Sequence, residues 1–323
     1  MKISIFYKTF IFLLIVQICI LILNNNVYAN TKYASLTLDA KSGDIIHNNN
    51  GFAKRYPASL TKVMTLYLIF EDLESKRLQK SDLITFSENA SRKPASKLGL
   101  LPGKSINVSN AIKALAVKSA NDVATAVAEH IAGSERQFAL RMTNKAKELG
   151  MYHTTFKNAS GLHNDSQTTT AYDMAILGLR ILSDFPIESK VFSMKEFQYE
   201  GKKYTSHNKL LFTYRGTKGI KTGYTSRSGF NLLTYASRDN KKAISVVMGG
   251  SSSASRNSNM VKVLDKSFKV MGEYIAYPIA KPFKEALSKT NFINDDSLLI
   301  KDDNISNYDR LHRKANRLIR LLP

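Results

Sequence analysis

The chain has a single cysteine, Cys19, among its 323 residues, so a disulfide framework and a cysteine-ligated zinc or iron–sulfur centre are both excluded. Its six histidines (His47, His130, His153, His163, His207 and His312) show no zinc-ligand spacing, and no metal or other cofactor is expected. Internal repeats and low-complexity tracts are absent. The apolar run Thr9–Leu23 falls short of the roughly 20 residues that a membrane span needs. Acids are scarce: 26 Asp and Glu stand against 47 Lys and Arg, a formal charge of +21. Composition is otherwise ordinary, with 43% apolar and 23% charged residues, which excludes wholesale disorder. At roughly 150 residues per domain the length allows one large domain or two small ones. The charge alone suits nucleic acid, an anionic membrane or an acidic polymer, and cannot choose among them.

The N-terminus narrows that choice. Lys2 and Lys8 precede the apolar run, and Asn24–Ala29 follows it with Val27 and Ala29 at small-residue positions. A basic start, a short apolar core and a Val-x-Ala end predict a secretory signal peptide over residues 1–29. Its removal takes away Lys2, Lys8 and Cys19. An exported protein rarely meets DNA, so no nucleic-acid partner is expected, and the basic surface is expected to face the membrane or cell wall.

Along the rest of the chain, Tyr33–Asp39 alternates as a strand, with Asp44–His47 returning as its hairpin partner. Helical spacing runs from Leu60 to about Leu78, then over Val108–Lys118, Asp122–Ile131, Ser134–Leu149 and Ala171–Ser183. Strands are predicted at Glu196–Tyr204, Gly219–Tyr224, Phe230–Ser237 and Ala243–Gly249. Ser255–Met271 closes as a helix with Met260, Val263, Leu264, Phe268 and Met271 on one face. This order predicts an α+β domain whose N- and C-terminal elements share one antiparallel sheet.

Three short motifs carry chemistry. Ser59-Leu60-Thr61-Lys62 opens a helix, where positions i and i+3 share a face, so the Lys62 amine can reach the Ser59 hydroxyl. Serine is a weak nucleophile until a base takes its proton, and lysine becomes that base when burial or a second cation depresses its pKa. Ser119-Ala120-Asn121 lies between two helices, and Lys221-Thr222-Gly223 lies on a predicted strand before Tyr224. Each has a bland reading: a capped helix with a solvated lysine, an ordinary N-cap, and an edge-strand lysine before a turn. Together, in the order S-x-x-K, S-x-N, K-T-G, they are the motif set of penicillin-binding proteins and class A β-lactamases.

The chain resembles the low-molecular-mass penicillin-binding proteins, the serine-type D-alanyl-D-alanine carboxypeptidases. Pro57–Thr65 (PASLTKVMT), Ser119–Asp122 (SAND), Asn158–Leu162 (NASGL), Thr170–Met174 (TAYDM) and Gly219–Thr225 (GIKTGYT) all resemble family blocks. The resemblance implies a β-lactamase/transpeptidase-like fold: an antiparallel sheet flanked by helices, with a helix-rich subdomain carrying Ser119-Ala120-Asn121. It implies that Ser59 attacks the carbonyl between the two D-alanines of a peptidoglycan stem peptide and that Lys62 accepts its proton. Backbone N–H groups of Ser59 and Tyr224 would hold the oxyanion, and Ser119 would relay a proton to the departing D-Ala. Asn121 would position Lys62 or the substrate amide, and Lys221 and Thr222 would hold the terminal carboxylate. Penicillin and other β-lactams would acylate the same Ser59.

Some features depart from that pattern or lie outside it. Tyr224 stands where many relatives have histidine, which bears on substrate preference and not on the backbone N–H. His207 reads as structural. Arg256 reads equally as a charge near the carboxylate pocket or as a solvated helix-start residue. One catalytic domain is expected over residues 30–272, followed by a short tail, 273–323, in place of the β-rich second domain of larger relatives. Within it, 308–322 sets Leu311, Ala315, Leu318, Ile319 and Leu322 against Arg310, Arg313, Lys314, Arg317 and Arg320. Such a basic amphipathic helix suits an anionic membrane surface, or docking on its own domain. Two rival functions remain: a β-lactamase, against which Glu188–Phe192 lacks the expected asparagine, and a catalytically idle wall-binding protein. The place expected for the enzyme is the periplasm or the outer face of the cytoplasmic membrane, in cell-wall synthesis or remodelling.

Overall fold

In chain order, the computed structural model, which describes residues 32–276, runs through β1 (Ala34–Asp39), β2 (Ile45–Asn49), a 3-10 turn at Ala58–Leu60 and helix α1 (Thr61–Glu74). Strands β3 (Leu83–Thr85) and β4 (Ser105–Asn107) precede α2 (Val108–Lys113), α3 (Asn121–Ala132), α4 (Glu135–Glu148) and α5 (Ala171–Asp184). The chain then forms β5 (Glu196–Tyr199), β6 (Lys202–Thr205), β7 (Thr217–Thr225), β8 (Gly229–Arg238), β9 (Lys241–Gly250) and α6 (Ser253–Ala276).

The main sheet has five antiparallel strands in the order β2-β1-β9-β8-β7, so the first and last strands of the described residues pair in one sheet. Successive side chains point to opposite faces of a strand, and the buried residues divide accordingly. Leu232, Ala243 and Val247 pack beneath α6 with Met260, Leu264 and Phe268. Their neighbours Leu233, Ile244, Val246 and Met248 join the larger core around α1 and α5. The α6 stripe read from the sequence is therefore the covering face. Helix α1 is buried nearly all round, from Thr61 to Phe70, as suits an element at the centre of the molecule.

Four expectations need correction. Glu196–Tyr204 is a hairpin and not one strand, because Glu200 and Gly201 take φ of 46° and 73° and turn the chain between β5 and β6. The helix expected to reach Leu78 stops at Glu74, where Ser75 caps it and Lys76 turns left-handed at φ 58°. Val108–Lys118 is α-helical only to Lys113, and Ala114–Lys118 widens into a π turn. Helix α6 extends to Ala276. The short β3–β4 ladder was not anticipated. The expected signal peptide, 1–29, and the basic segment 308–322 lie outside the described residues.

Candidate active site

Ser59 sits in the 3-10 turn that leads into α1, and three neighbours hold that turn. Asn231 on β8 donates from Nδ2 to the carbonyls of Tyr56 and Pro57 at 3.0 and 3.2 Å, while its Oδ1 accepts from the Gly249 amide. Gly223 on β7 approaches so closely that a Cβ there would lie 3.0 Å from the Ser59 nitrogen. Gly161, at φ +85°, crosses the turn where a Cβ would fall 1.9 Å from the Ala58 carbonyl oxygen. Only glycine fits that crossing, for space and for backbone.

Lys62, one turn along, is completely buried. Its Nζ lies 2.7 Å from Asn121 Oδ1, 2.5 Å from the Ser160 carbonyl oxygen and 3.2 Å from Ser59 Oγ. Asn121 Nδ2 donates to the Pro94 carbonyl at 2.9 Å, which fixes which end of the amide faces the lysine. Neither the Asn121 oxygen nor the Ser160 carbonyl can donate, so each must accept an N–H from Lys62. A neutral amine has two N–H groups and one lone pair. With both N–H groups committed, the lone pair is left for the Ser59 O–H.

The electrostatics favour that neutral form. Burial first, and the Lys221 cation second, hold the Lys62 pKa well below its ordinary value; Asp122 and Glu135 pull weakly the other way. Lys221 is 2% exposed and is itself brought down to about 7 by burial and by Arg256. It donates to the Thr222 carbonyl at 3.0 Å. The solvated-lysine reading of S-x-x-K is thereby overturned, and so is the N-cap reading of S-x-N. Ala120 occupies the N-cap of α3 with no side-chain cap, and Ser119 stands outside the helix in a left-handed conformation at φ 62°. The edge-strand reading of Lys221 is right in topology, since β7 is the edge, but wrong in exposure.

A cavity of about 350 Å³ opens over this group. Ser59, Ser119, Asn121, Thr222 and Tyr224 all line it, so five of the expected site residues converge on one space, with Lys62 and Lys221 buried around it. Tyr224 is 55% exposed and stacks on Phe230 at 4.2 Å. Arg256 also lines the cavity at 4% exposure, which decides against the solvated alternative. Its guanidinium is lowered to about 10 by burial, so it stays charged at neutral pH. His207, read as structural, instead stands in the cavity wall, its pKa depressed to about 4 by burial and then by Lys221, Lys118, Arg256 and Lys209. The Ser160 carbonyl was also missed; the NASGL block pointed to its segment but not to a backbone oxygen. Among the described residues no group of His, Cys, Asp and Glu side chains could hold a metal ion. The arrangement offers a serine with a neutral base on one side and the charged Arg256 with Lys221 on the other, which suits acyl transfer from a substrate ending in a carboxylate.

Comparison with known proteins agrees with this chemistry. The Peptidase_S11 family model, D-alanyl-D-alanine carboxypeptidase, matches residues 26–252. D-alanyl-D-alanine carboxypeptidase DacF of Bacillus subtilis is 35% identical over 257 residues, covering 78% of this chain. The chain spans 65% of the length of that curated relative, somewhat under two thirds. Penicillin binding protein 5 from Haemophilus influenzae superposes with a TM-score of 0.71 at 34% identity, covering 73% of this chain and 70% of that one. Penicillin-Binding Protein D2 from Listeria monocytogenes, solved in its ampicillin-bound form, gives 0.68 at 29% identity, covering 75% of this chain and 99% of that one. The fold is thus the β-lactamase-like one expected.

Proposed function

This chain belongs to the D-alanyl-D-alanine carboxypeptidase family, and from that membership we propose that it is a serine hydrolase removing the terminal D-alanine from peptidoglycan stem pentapeptides. The observation that carries the reading is the pairing of Ser59 with a buried lysine whose two other partners can only accept.

Ser59 Oγ bonds to the carbonyl carbon between the two D-alanines as its proton passes to the Lys62 lone pair. The oxyanion is met by the backbone N–H groups of Ser59 and Tyr224, a role supported by the close approach of Gly223 to the Ser59 amide. The C–N bond then breaks, and Ser119 relays the proton from Lys62 to the departing amine of D-Ala. Lys221, Thr222 and Arg256 hold the terminal carboxylate, and the charge of Lys221 also helps keep Lys62 neutral. Water next adds to the acyl-enzyme carbon, the ester bond to Ser59 breaks, and Ser59 recovers its proton. The product peptide is shorter by one D-Ala. A β-lactam carbonyl takes the place of the peptide in the same first step, so these compounds act as inhibitors.

The catalytic domain is residues 30–272, and the pattern of residues 1–29 supports export to the periplasm or the outer face of the cytoplasmic membrane. There the enzyme serves cell-wall biogenesis and cell shape. The segment 308–322 is a candidate contact with an anionic membrane surface.

One assay tests the activity: D-Ala release from an acyl-D-Ala-D-Ala peptide, with Ser59→Ala as control. Release by the wild type alone is expected. Absence of release, with Ser59→Ala indistinguishable from wild type, would establish the idle wall-binding alternative. Labelled penicillin is expected to leave a long-lived adduct on Ser59, whereas fast turnover without an adduct would make the protein a β-lactamase.

A further inference from the structure

A second cavity, of about 340 Å³, lies at the other end of the sheet from Ser59. Lys218 lines it from the start of β7, whereas Thr222–Thr225 face the first cavity from the end of that strand. At roughly 3.3 Å per residue, about 13 Å or more of strand separates the two. The second cavity is closed by the last turn of α5, by the segment from Pro186 to Ser193, and by Tyr235 and Lys242 on β8 and β9.

Its chemistry is one-sided. Lys190, Lys218 and Lys242 all line it, all are exposed, and none has an ion pair among the described residues. No lining residue is acidic. The acids nearby in sequence are engaged by other groups: Asp39 by the Lys41 amide, Asp184 by Arg180 and Tyr67, Glu188 by Lys80, and Asp239 by Arg215. Ser189 and Tyr235 add hydroxyls with no hydrogen-bond partner among the described residues. Burial raises the Tyr235 pKa, so its O–H stays available as a donor. Leu179 and Leu182 form an apolar floor.

Three like charges around one hollow repel each other, and a multiply charged anion relieves that repulsion. A phosphate group presents several oxygens to cations arriving from different directions, and lysine binds it as a point charge. The apolar floor adds a place for carbon. We propose that this cavity is a binding site for a phosphate ester of a small polyol, distinct from the catalytic centre. Two sources carry that chemistry, a free glycerol phosphate unit and the headgroup of an anionic phospholipid.

The test uses the full chain and glycerol 3-phosphate, titrated calorimetrically at low salt. Lys190→Ala, Lys218→Ala and Lys242→Ala are combined in one variant, and Lys147→Ala, Lys157→Ala and Lys262→Ala in a second with the same change of net charge. Losing three charge-assisted contacts is expected to weaken binding at least about tenfold in the first variant and less than about twofold in the second. Circular dichroism confirms that both are folded. Equal weakening in the two variants, full retention in the first, or no binding by the wild type would overturn the site. Vesicles of phosphatidylglycerol distinguish the sources. Vesicle binding that glycerol 3-phosphate competes away assigns the headgroup, and glycerol phosphate binding undisturbed by vesicles assigns the free ester.

Discussion

Asn121 Oδ1 accepts a 2.7 Å hydrogen bond from Lys62 Nζ, and so joins two motifs that lie 59 residues apart in the chain. The bond does more than fill space, because it consumes an N–H that would otherwise compete with the lone pair for Ser59. Asn121→Ala leaves a buried donor unsatisfied, a loss of about 1–3 kcal/mol, or roughly 5- to 150-fold in the rate of Ser59 acylation. Labelled penicillin measures that rate. Asn121→Asp tests the sign: a carboxylate beside Lys62 stabilises its charged form, so activity should fall at neutral pH and recover as pH rises. An alanine variant that acylates at the wild-type rate would remove Asn121 from the mechanism.

Lys221 gives a second prediction. Its charge is the second cause, after burial, of the depressed Lys62 pKa. Lys221→Met removes a like charge, so the pKa of Lys62 rises and a smaller fraction is neutral at a given pH. The acidic limb of the pH–rate profile should therefore move to higher pH. An uncharged activated ester is the substrate to use, since it makes no demand on the carboxylate pocket. An unmoved limb, with only KM raised on carboxylate-terminated peptides, would confine Lys221 to binding.

What could be read in advance depended on whether a residue acts through its side chain in a motif. Ser59, Lys62, Ser119 and Lys221 announce themselves by type and spacing, and the antiparallel sheet follows from the alternation of Tyr33–Asp39 and the successive strands predicted at Phe230–Ser237 and Ala243–Gly249. The Ser160 oxygen belongs to the backbone, so no residue type signals it. Asn231 secures the Ser59 turn from a strand 175 residues away, a contact that only the folded register of β8 creates. Ser119 is left-handed although serine carries no preference for that region; the π turn before it, and the packing around it, impose the conformation. Arg256 reaches the cavity from α6 and His207 from the loop that follows β6, a convergence that no local pattern contains.

Gly161 makes a third prediction, about the scaffold. Its φ of +85° disfavours any side chain, and the Ala58 carbonyl that a methyl would meet is backbone, which cannot rotate away. Gly161→Ala should therefore cost at least about 2 kcal/mol of stability, since strain and displacement add. The displaced atoms include the turn that carries Ser59, so acylation should slow as well. Gly43 is the internal control, having φ +79° but nothing within 4 Å of a new methyl. If the two alanine variants melt together and acylate alike, the crossing at Ala58 is not what holds the turn.

His207 yields a prediction in pH. The groups that depress it are Lys221, Lys118, Arg256 and Lys209, acting after burial, and they bring its pKa from 6.5 to about 4 in the folded protein. Above pH 6.5 the imidazole is neutral folded or unfolded and contributes no pH dependence. Between about 6.5 and 4 the unfolded chain takes up a proton that the folded one refuses, so stability falls as pH falls. Below about 4 both forms are protonated and the loss is complete. The ring is only partly enclosed at the cavity mouth, and solvent there screens the surrounding cations, so the whole effect is held to about 1 kcal/mol. His207→Gln removes the titration while keeping a polar side chain. Thermal melts across this window should show a shallower acid loss in His207→Gln than in wild type, and the difference should shrink with added salt. Parallel curves for the two proteins would mean that the four cations do not set the charge of His207.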